Sequence, residues 1–320
     1  MLKNKILALL EEQKGNIVTG GQLAHLLGVS RTAVWKSVRA LQEAGNEIVS
    51  IPNSGYRLLA TNDTLLEASI REKLTAKFIA SELKLFPSLP STNKYLKETD
   101  TSHLPSGYAV IADEQTQGRG RRDRSFLSPK REGLYLSILL KLDASKQDIR
   151  LLTICAAVAV SQALEAVCRL KAEIKWVNDI YCQGKKICGI LTEATFSGEL
   201  QELSDVIVGI GINTGTVPKE ISALATSVQE VTGRRGIRNQ LAAEVLNQFE
   251  TVCLDYFANN NRAEIIAAYA SRLFITGRQV LVSGQKNAVT VAGISAAGAL
   301  LVTNEQGETE EITTGEIKLV

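Results

Sequence analysis

No segment restricts the architecture more than residues 151–167, LLTICAAVAVSQALEAV. It is apolar around most of a helical circumference, yet Thr153, Ser161, Gln162 and Glu165 interrupt it. A membrane span asks for about 20 consecutive apolar residues. An interrupted run of this kind suits a helix sunk in a protein core, and the reading predicts a buried helix at about 150–169. Around it lie strand-like runs: SGYAVIADEQ, GLYLSILLKL, EIKWVNDIY, ICGILTEAT and SDVIVGIGIN. Helical periodicity returns at 238–258 and 262–270. This order predicts an α+β domain around a mixed or antiparallel sheet.

The first 60 residues carry a different pattern. Leu2, Ile6, Leu9 and Leu10 recur at helical spacing. Thr19 is placed to cap a second helix, GGQLAHLLG, which Gly28 lets turn out through a left-handed conformation. Ser30 caps a third helix, RTAVWKSVRALQEAG. Its Val34, Trp35, Val38, Leu41 and Gln42 are assigned to one side; Arg31, Thr32, Lys36, Arg39 and Glu43 are assigned to the other. EIVSIPNSGYRLLA then reads as two strands around a Pro-Asn-Ser-Gly turn. Two helices, a tight turn and a hairpin make a winged helix-turn-helix, with Ser30, Arg31, Thr32 and Lys36 facing DNA. A helical protein-interaction module with a solvated polar face is the alternative. Thr64 and Glu67 have capping-box spacing and open the next helix, LLEASIREKL, after a polar linker at 60–64. Past residue 275, VLVSG, AVTVAGI, ALLVTNEQG and ETEEITTGEIKLV alternate short strands with turns, the pattern of a small SH3-like β-barrel. The expected domains are 1–63, 64–272 and 273–320.

Composition then excludes chemistry. The two histidines, His25 and His103, argue against a His-centred triad or a multi-His metal site. Five cysteines, with no CxxC pair, read as reduced buried thiols rather than a disulfide framework or a zinc site. A net charge of +2 (36 − 34) confines any nucleic-acid contact to a local patch. The start, MLKNKILALLEEQ, does not have the pattern of a signal peptide, so the expected setting is cytoplasmic, with no membrane partner.

Four clusters point to a ligand. Residues 115–126, QTQGRGRRDRSF, hold four arginines and two glycines within seven residues. Mutual repulsion predicts a mobile loop until an anion enters; glycine amides and guanidinium forks suit phosphate or carboxylate. A basic surface loop for nucleic acid is the competing reading. Lys175-Trp176-Val177-Asn178-Asp179, followed by Lys186 and Gly189-Ile190-Leu191, places charges beside apolar strands, which is costly unless they are paired. Trp176 is assigned to the core and Lys185 to a solvated turn. Gly209-Ile210-Gly211-Ile212-Asn213 leaves room for something flat against the backbone, and Asn213 offers a donor and an acceptor to an adenine edge. There is neither a GxGxxG nor a Walker loop. Ser91-Thr92-Asn93 reads equally as a helix cap or as the reader of a polar ligand head.

Ser91-Thr92-Asn93, GRGRR at 118–122, KWVND at 175–179, KK and GIL at 185–191 and GIGIN at 209–213 together resemble the biotin protein ligases. With the winged helix in front, the chain resembles the bifunctional class that is also the biotin-operon repressor. The resemblance implies a central mixed α/β ligase domain that joins biotin to ATP, giving biotinoyl-AMP and pyrophosphate. Biotin then passes to a lysine of a biotin carboxyl carrier protein. It implies biotin contacts at Ser91, Thr92, Asn93, Gln115, Gly118, Arg119, Gly120, Arg121, Lys186, Gly189 and Gly209. Nucleotide contacts would come from Arg119, Arg121, Phe126, Asn178, Asp179 and Asn213, with Asp179 near Mg2+. Arg121 and Lys186 would be the catalytic pair. The loop would order over the adenylate and favour a homodimer that sets two winged helices on operator DNA. The family usually has Pro where this chain has Val177, and Trp where it has Phe126. Two other readings are a ligand-sensing transcription factor without chemistry and a lipoate or octanoyl ligase of related fold.

Overall fold

A computed structural model describes residues 2–141, 146–197, 202–257, 259, 261–285 and 287–320. The chain begins with α1 (Leu2–Glu12), β1 (Ile17–Val18), α2 (Gly20–Leu27), α3 (Arg31–Glu43), β2 (Ile48–Ile51) and β3 (Gly55–Leu58). Thr19 and Gln22 close a reciprocal capping box at the start of α2, and Gly28 leaves it at φ +64°. Ser30 Oγ accepts from the Ala33 amide at 3.2 Å and so sets the start of α3. Ile6, Leu10, Leu23, Val34, Val38 and Leu58 form the core of this unit, and β2–β3 is the wing. Trp35 departs from expectation. It is 47% exposed, with Arg39 stacked 5.3 Å over its ring. Following Val34 by one residue, it stands about 100° around the helix from the buried stripe. The Thr64 cap is also corrected: Leu66 precedes α4 (Glu67–Lys73) without a side-chain cap, and the Thr64 hydroxyl donates to Asn46 Oδ1 instead.

The central domain adds β4 (Leu83–Phe86), α5 (Thr92–Glu98), β5 (Ala109–Ala112), β6 (Gly133–Leu140), α6 (Lys146–Cys168), β7 (Glu173–Lys175), β8 (Asp179–Cys182), β9 (Lys185–Ser197) and β10 (Glu202–Asn213). Helices α7 (Val228–Thr232), α8 (Arg238–Phe257) and α9 (Arg262–Ala270) follow. One seven-stranded sheet runs β4-β5-β6-β10-β9-β8-β7. Only β4–β5 is parallel among its ladders. The apolar helix is α6, buried against α8 and one face of this sheet. β4 was not anticipated: four residues, three of them apolar, are too short for periodicity to register. EIKWVNDIY is not one strand. β7 and β8 pair with Lys175 opposite Asp179, so Trp176-Val177-Asn178 forms the turn between them, and the Trp176–Val177 peptide is cis.

Two-residue alternation decides what each face of the sheet offers. On β10, Val206, Val208, Ile210 and Ile212 enter the α6 core, which leaves Ile207, Gly209 and Gly211 on the opposite face beneath α5. On β6, Leu134, Leu136 and Ile138 face α6, and Ser137 faces α5. The chain ends in β11 (Gln279–Val282), β12 (Val289–Ile294), β13 (Leu300–Thr303), β14 (Thr309–Ile312) and β15 (Ile317–Leu319). They form an antiparallel sheet in the order β14-β13-β12-β11-β15, with no ladder between β14 and β15 among the described residues. This is the α+β arrangement expected: a winged helix, a mixed central domain and an all-β C-terminal unit.

A candidate ligand-binding and active site

The cleft lies on the α5 face of the central sheet. Ser91, Thr92, Asn93 and Gln115 line one part of it, and Arg119, Gly120, Arg121 and Phe126 another. Asn178, Asp179, Lys186, Gly189 and Gly209 complete the set that sequence had singled out. Gly118 and Asn213 stand outside the lining. Gly118 is buried behind it, where a Cβ would strike the Phe126 carbonyl. Asn213 Nδ2 donates to the Thr226 carbonyl at 3.1 Å.

The uncharged part is built on the start of α5. Ser91 is its N-cap and accepts from the Lys94 amide. Gln115 Oε1 accepts from the Thr92 amide at 2.8 Å and lies 3.1 Å from the Thr92 hydroxyl. Its Nε2 donates to Ser128 Oγ at 2.9 Å. From beneath, Ser137 Oγ stands 2.6 Å from both Thr92 Oγ1 and Asn93 Oδ1. Asn93 Nδ2 donates to the Leu191 carbonyl and to Glu193. Every member is tied to a rigid element, so these polar groups are preorganised.

Charge gathers in the other part. Lys186 Nζ lies 2.7 Å from Asp179 Oδ1, an ion pair without hydrogen-bond angles, and that oxygen is buried with no hydrogen-bond partner. Asn178 joins the two halves of the charged wall: Nδ2 donates to the Ile190 carbonyl and Oδ1 accepts from Arg121 at 3.3 Å. Burial pulls the Arg121 pKa below its usual range, opposed by Asp179. Burial does the same to Lys175, again opposed by Asp179 and reinforced by Lys186.

The sequence reading placed Lys175 in a ligand cluster without giving it a contact, and it missed the whole C-terminal contribution. Glu316 and Ile317 also line the cleft. The arginine loop, expected to be mobile, is folded against this domain. Arg121 donates to the Gly315 carbonyl at 3.3 Å, Arg122 to Ser283 at 3.5 Å, and Arg124 pairs with Glu316 at 2.6 Å. A carboxylate 192 residues downstream of Arg124 has no local signal that links it to the loop.

The floor is glycine. A Cβ at Gly209 would collide with the Asn93 amide, and one at Gly211 would come within 2.5 Å of the Phe126 ring. Gly189 lies beneath the same ring and the Lys186 ammonium. Gly211→Val is expected to push Phe126 into the cleft at an overpacking cost of about 1–3 kcal/mol. Ligand binding measured by titration calorimetry should weaken correspondingly, and unchanged binding would show that Phe126 has no seat there.

Neither histidine nor cysteine lines this cleft among the described residues. The cysteines are free, and burial raises the Cys168 thiol to about 11 and also raises Cys182, Cys188 and Cys253. No cluster of three or more His, Cys, Asp or Glu suited to a metal occurs among the described residues. Among the described residues the cleft is lined by amides, hydroxyls, cations and the Asp179 and Glu316 carboxylates, groups suited to binding and charge stabilisation.

A second concavity separates the start of α2 and the exposed side of α3 from the wing, and Arg31, Thr32, Trp35 and residues 50–56 line it. Ser30 and Lys36 are exposed beside it. Residues 1–60 hold seven basic and four acidic groups, a local net charge of +3.

Known proteins share this arrangement. Residues 85–213 match the biotin/lipoate A/B protein ligase family, and residues 3–57 match an HTH domain. The bifunctional ligase/repressor BirA of Bacillus subtilis is 35% identical over 262 residues, covering 81% of this chain and 80% of that protein. BirA of Escherichia coli is 32% identical over 324 residues, covering 98% and 96%. The biotin protein ligase of Aquifex aeolicus, solved in complex with biotin and ATP, superposes with a TM-score of 0.64 at 32% identity, covering 74% of this chain and 98% of that one. Similarity that runs through the helix-turn-helix, the cleft and the C-terminal sheet alike leaves one assignment: the chain belongs to the BirA family of bifunctional ligase/repressors.

Proposed function

We propose that this protein activates biotin with ATP, transfers it to a lysine of a biotin carboxyl carrier protein, and represses transcription by binding operator DNA through its winged helix. The observation that carries the ligase reading is the division of one cleft into an amide-and-hydroxyl end and a cationic end over a glycine floor. A ureido ring presents donors and an acceptor, which Ser91, Thr92 and Gln115 are equipped to read, and the carboxylate at the far end of the valeryl chain meets Lys186. The dithiolane of lipoate has no comparable polar edge, so it would displace water from Ser91, Thr92 and Gln115 without returning hydrogen bonds. That favours biotin over the lipoate alternative.

The chemistry follows from position and charge. A biotin carboxylate oxygen attacks the α-phosphorus of ATP, the bond to pyrophosphate breaks, and a mixed anhydride remains. The amine of the acceptor lysine then attacks the acyl carbon, loses a proton, and AMP departs. Lys186 orients the carboxylate and later faces the acyl-phosphate; Arg119 and Arg121 balance charge on the phosphates. The Gly120 and Gly189 backbones allow close approach, Gly118 leaves room behind them for the Phe126 carbonyl, and Gly209 leaves Asn93 its place. Phe126 covers the ligand, Asn178 holds Arg121, and Asn213 meets adenine through its amide oxygen, because Nδ2 is engaged. Mg2+ accompanying ATP needs only one or two carboxylates besides phosphate and water. The Asp179 carboxylate, ion-paired with Lys186 but accepting no hydrogen bond at Oδ1, would serve as one such ligand, and the ion would supply countercharge to the phosphates.

Lys186→Ala should lower biotin-dependent pyrophosphate release at least tenfold, since a charge-assisted hydrogen bond to the carboxylate is lost. Wild-type turnover in that variant would remove Lys186 from the site. In the repressor role, Ser30, Arg31, Thr32 and Lys36 contact DNA, and a homodimer of liganded chains presents two heads to two half-sites. The decisive experiment incubates the protein with ATP, magnesium, labelled biotin and a carrier domain. Label on the carrier supports the ligase; binding of biotin without pyrophosphate release would favour a non-catalytic sensor. Operator binding that does not respond to biotin plus ATP would defeat the corepressor role.

A further inference from the structure

The recognition helix is clasped at its C-terminal end by an arginine of the ligase domain. Arg131 lies between the arginine loop and β6 at φ +66°. Its Nη1 donates to the Gly45 carbonyl at 2.6 Å, and its Nη2 to the Ala44 carbonyl. These carbonyls close α3, whose own last turn holds no basic residue. A helix C-terminus carries partial negative charge and favours a cation there; here the neighbouring domain supplies it. Gly45 stands at φ +83°, and a Cβ on it would run into the Arg131 guanidinium.

The same arginine is rooted beside the cleft. Its amide donates to the Asp113 carbonyl at 3.2 Å, two residues before Gln115. Gln115 in turn donates to Ser128, three residues before Arg131. Short hydrogen-bonded steps therefore join the uncharged end of the cleft to the recognition helix. Small interfaces between domains leave relative motion as the default, so a two-pronged contact at this point has leverage on the angle of the whole head.

We propose that Arg131 is a positioning residue for DNA recognition, fixing the orientation of the winged helix on the ligase domain so that a ligand held at Gln115 and the presentation of α3 are coupled. This deepens the repressor reading and rests on it.

The test uses the full chain as wild type, R131A and R131K, with biotin and MgATP. The DNA probe is a duplex of about 40 base pairs, long enough for two half-sites, selected from random sequence by the wild-type protein. R131A is expected to bind it about tenfold more weakly, with biotin-dependent pyrophosphate release within about twofold of wild type. R131K should fall between, because one ammonium cannot fork across two carbonyls. Small-angle scattering should show the head displaced in R131A. Unchanged DNA affinity, or an equal loss of pyrophosphate release, would overturn the proposal. If the wild type selects no duplex at all, the repressor reading fails. Scattering then decides the role of Arg131 alone: a displaced head in R131A upholds it, and an unmoved head refutes it.

Discussion

Arg121→Ala is expected to slow biotin-dependent pyrophosphate release by about 2–4 kcal/mol, or roughly 30- to 1,000-fold, the loss typical of one preorganised charge stabiliser. The expectation comes from how the cations in the cleft are matched. Lys186 is paired with Asp179, and Arg124 with Glu316. Arg121 is half-buried and bonded to neutral acceptors, Asn178 Oδ1 and the Gly315 carbonyl. Its full charge is therefore held in place for an incoming anion. Arg119 and Arg124 are exposed and cannot replace it without first being ordered. The deficit should appear mainly in kcat, because phosphate charge is rearranged in the transition state while the biotin ring is gripped elsewhere. Arg122→Ala is the control: that side chain is exposed, donates to Ser283 at 3.5 Å, and should cost little. Equal pyrophosphate release from Arg121→Ala and wild type would reject the role of Arg121.

Local signals in the sequence reached their limit where tertiary packing took over. Ser30, Thr19 and Gly28 announced the ends of α2 and α3 because capping depends on neighbours within three or four residues. The glycines of GIGIN read as room left against the backbone of an apolar strand, and Gly209 and Gly211 share the face where Asn93 and Phe126 press. Trp35 went astray because it adjoins the buried stripe, and only the position of the wing decides whether its ring is covered. The Lys175–Asp179 turn was read as a continuous strand because an apolar Trp-Val at a hairpin tip carries no turn chemistry. Glu316, Arg131 and Arg238 were silent for another reason. Each acts across a boundary between domains on groups 86 to 192 residues away, and no window of sequence records such a pairing.

Arg238→Ala is expected to destabilise the protein by about 3–5 kcal/mol, the cost of stranding the half-buried Asp63 and Asp113 carboxylates. The side chain is fully buried at the start of α8. Its guanidinium donates to the Asp113 carboxylate at 2.7 Å from both Nη1 and Nη2, to the Gly133 carbonyl at 3.0 Å, and to the Asp63 carbonyl at 3.0 Å from Nε. Its amide donates to the Asp63 carboxylate at 2.8 Å. One residue thus binds the linker below the winged helix to the ends of β5 and β6. Burial already raises the Asp63 pKa, with Arg238 opposing the rise. Removing the arginine lets it climb further. A carboxyl whose folded pKa exceeds its unfolded value of about 3.9 is tolerated while protonated and becomes a liability as pH rises through that range. The deficit in Arg238→Ala should therefore be greatest near neutral pH and shrink as pH falls toward 4, whereas a pure cavity would cost the same at both. Arg238→Met, which keeps most of the volume and none of the charge, should reproduce the pH-dependent part. Urea denaturation of both variants at pH 7 and pH 4.5 reads the difference; a deficit below 1 kcal/mol, or one insensitive to pH, would mean that Arg238 fills space rather than neutralising the carboxylates around it.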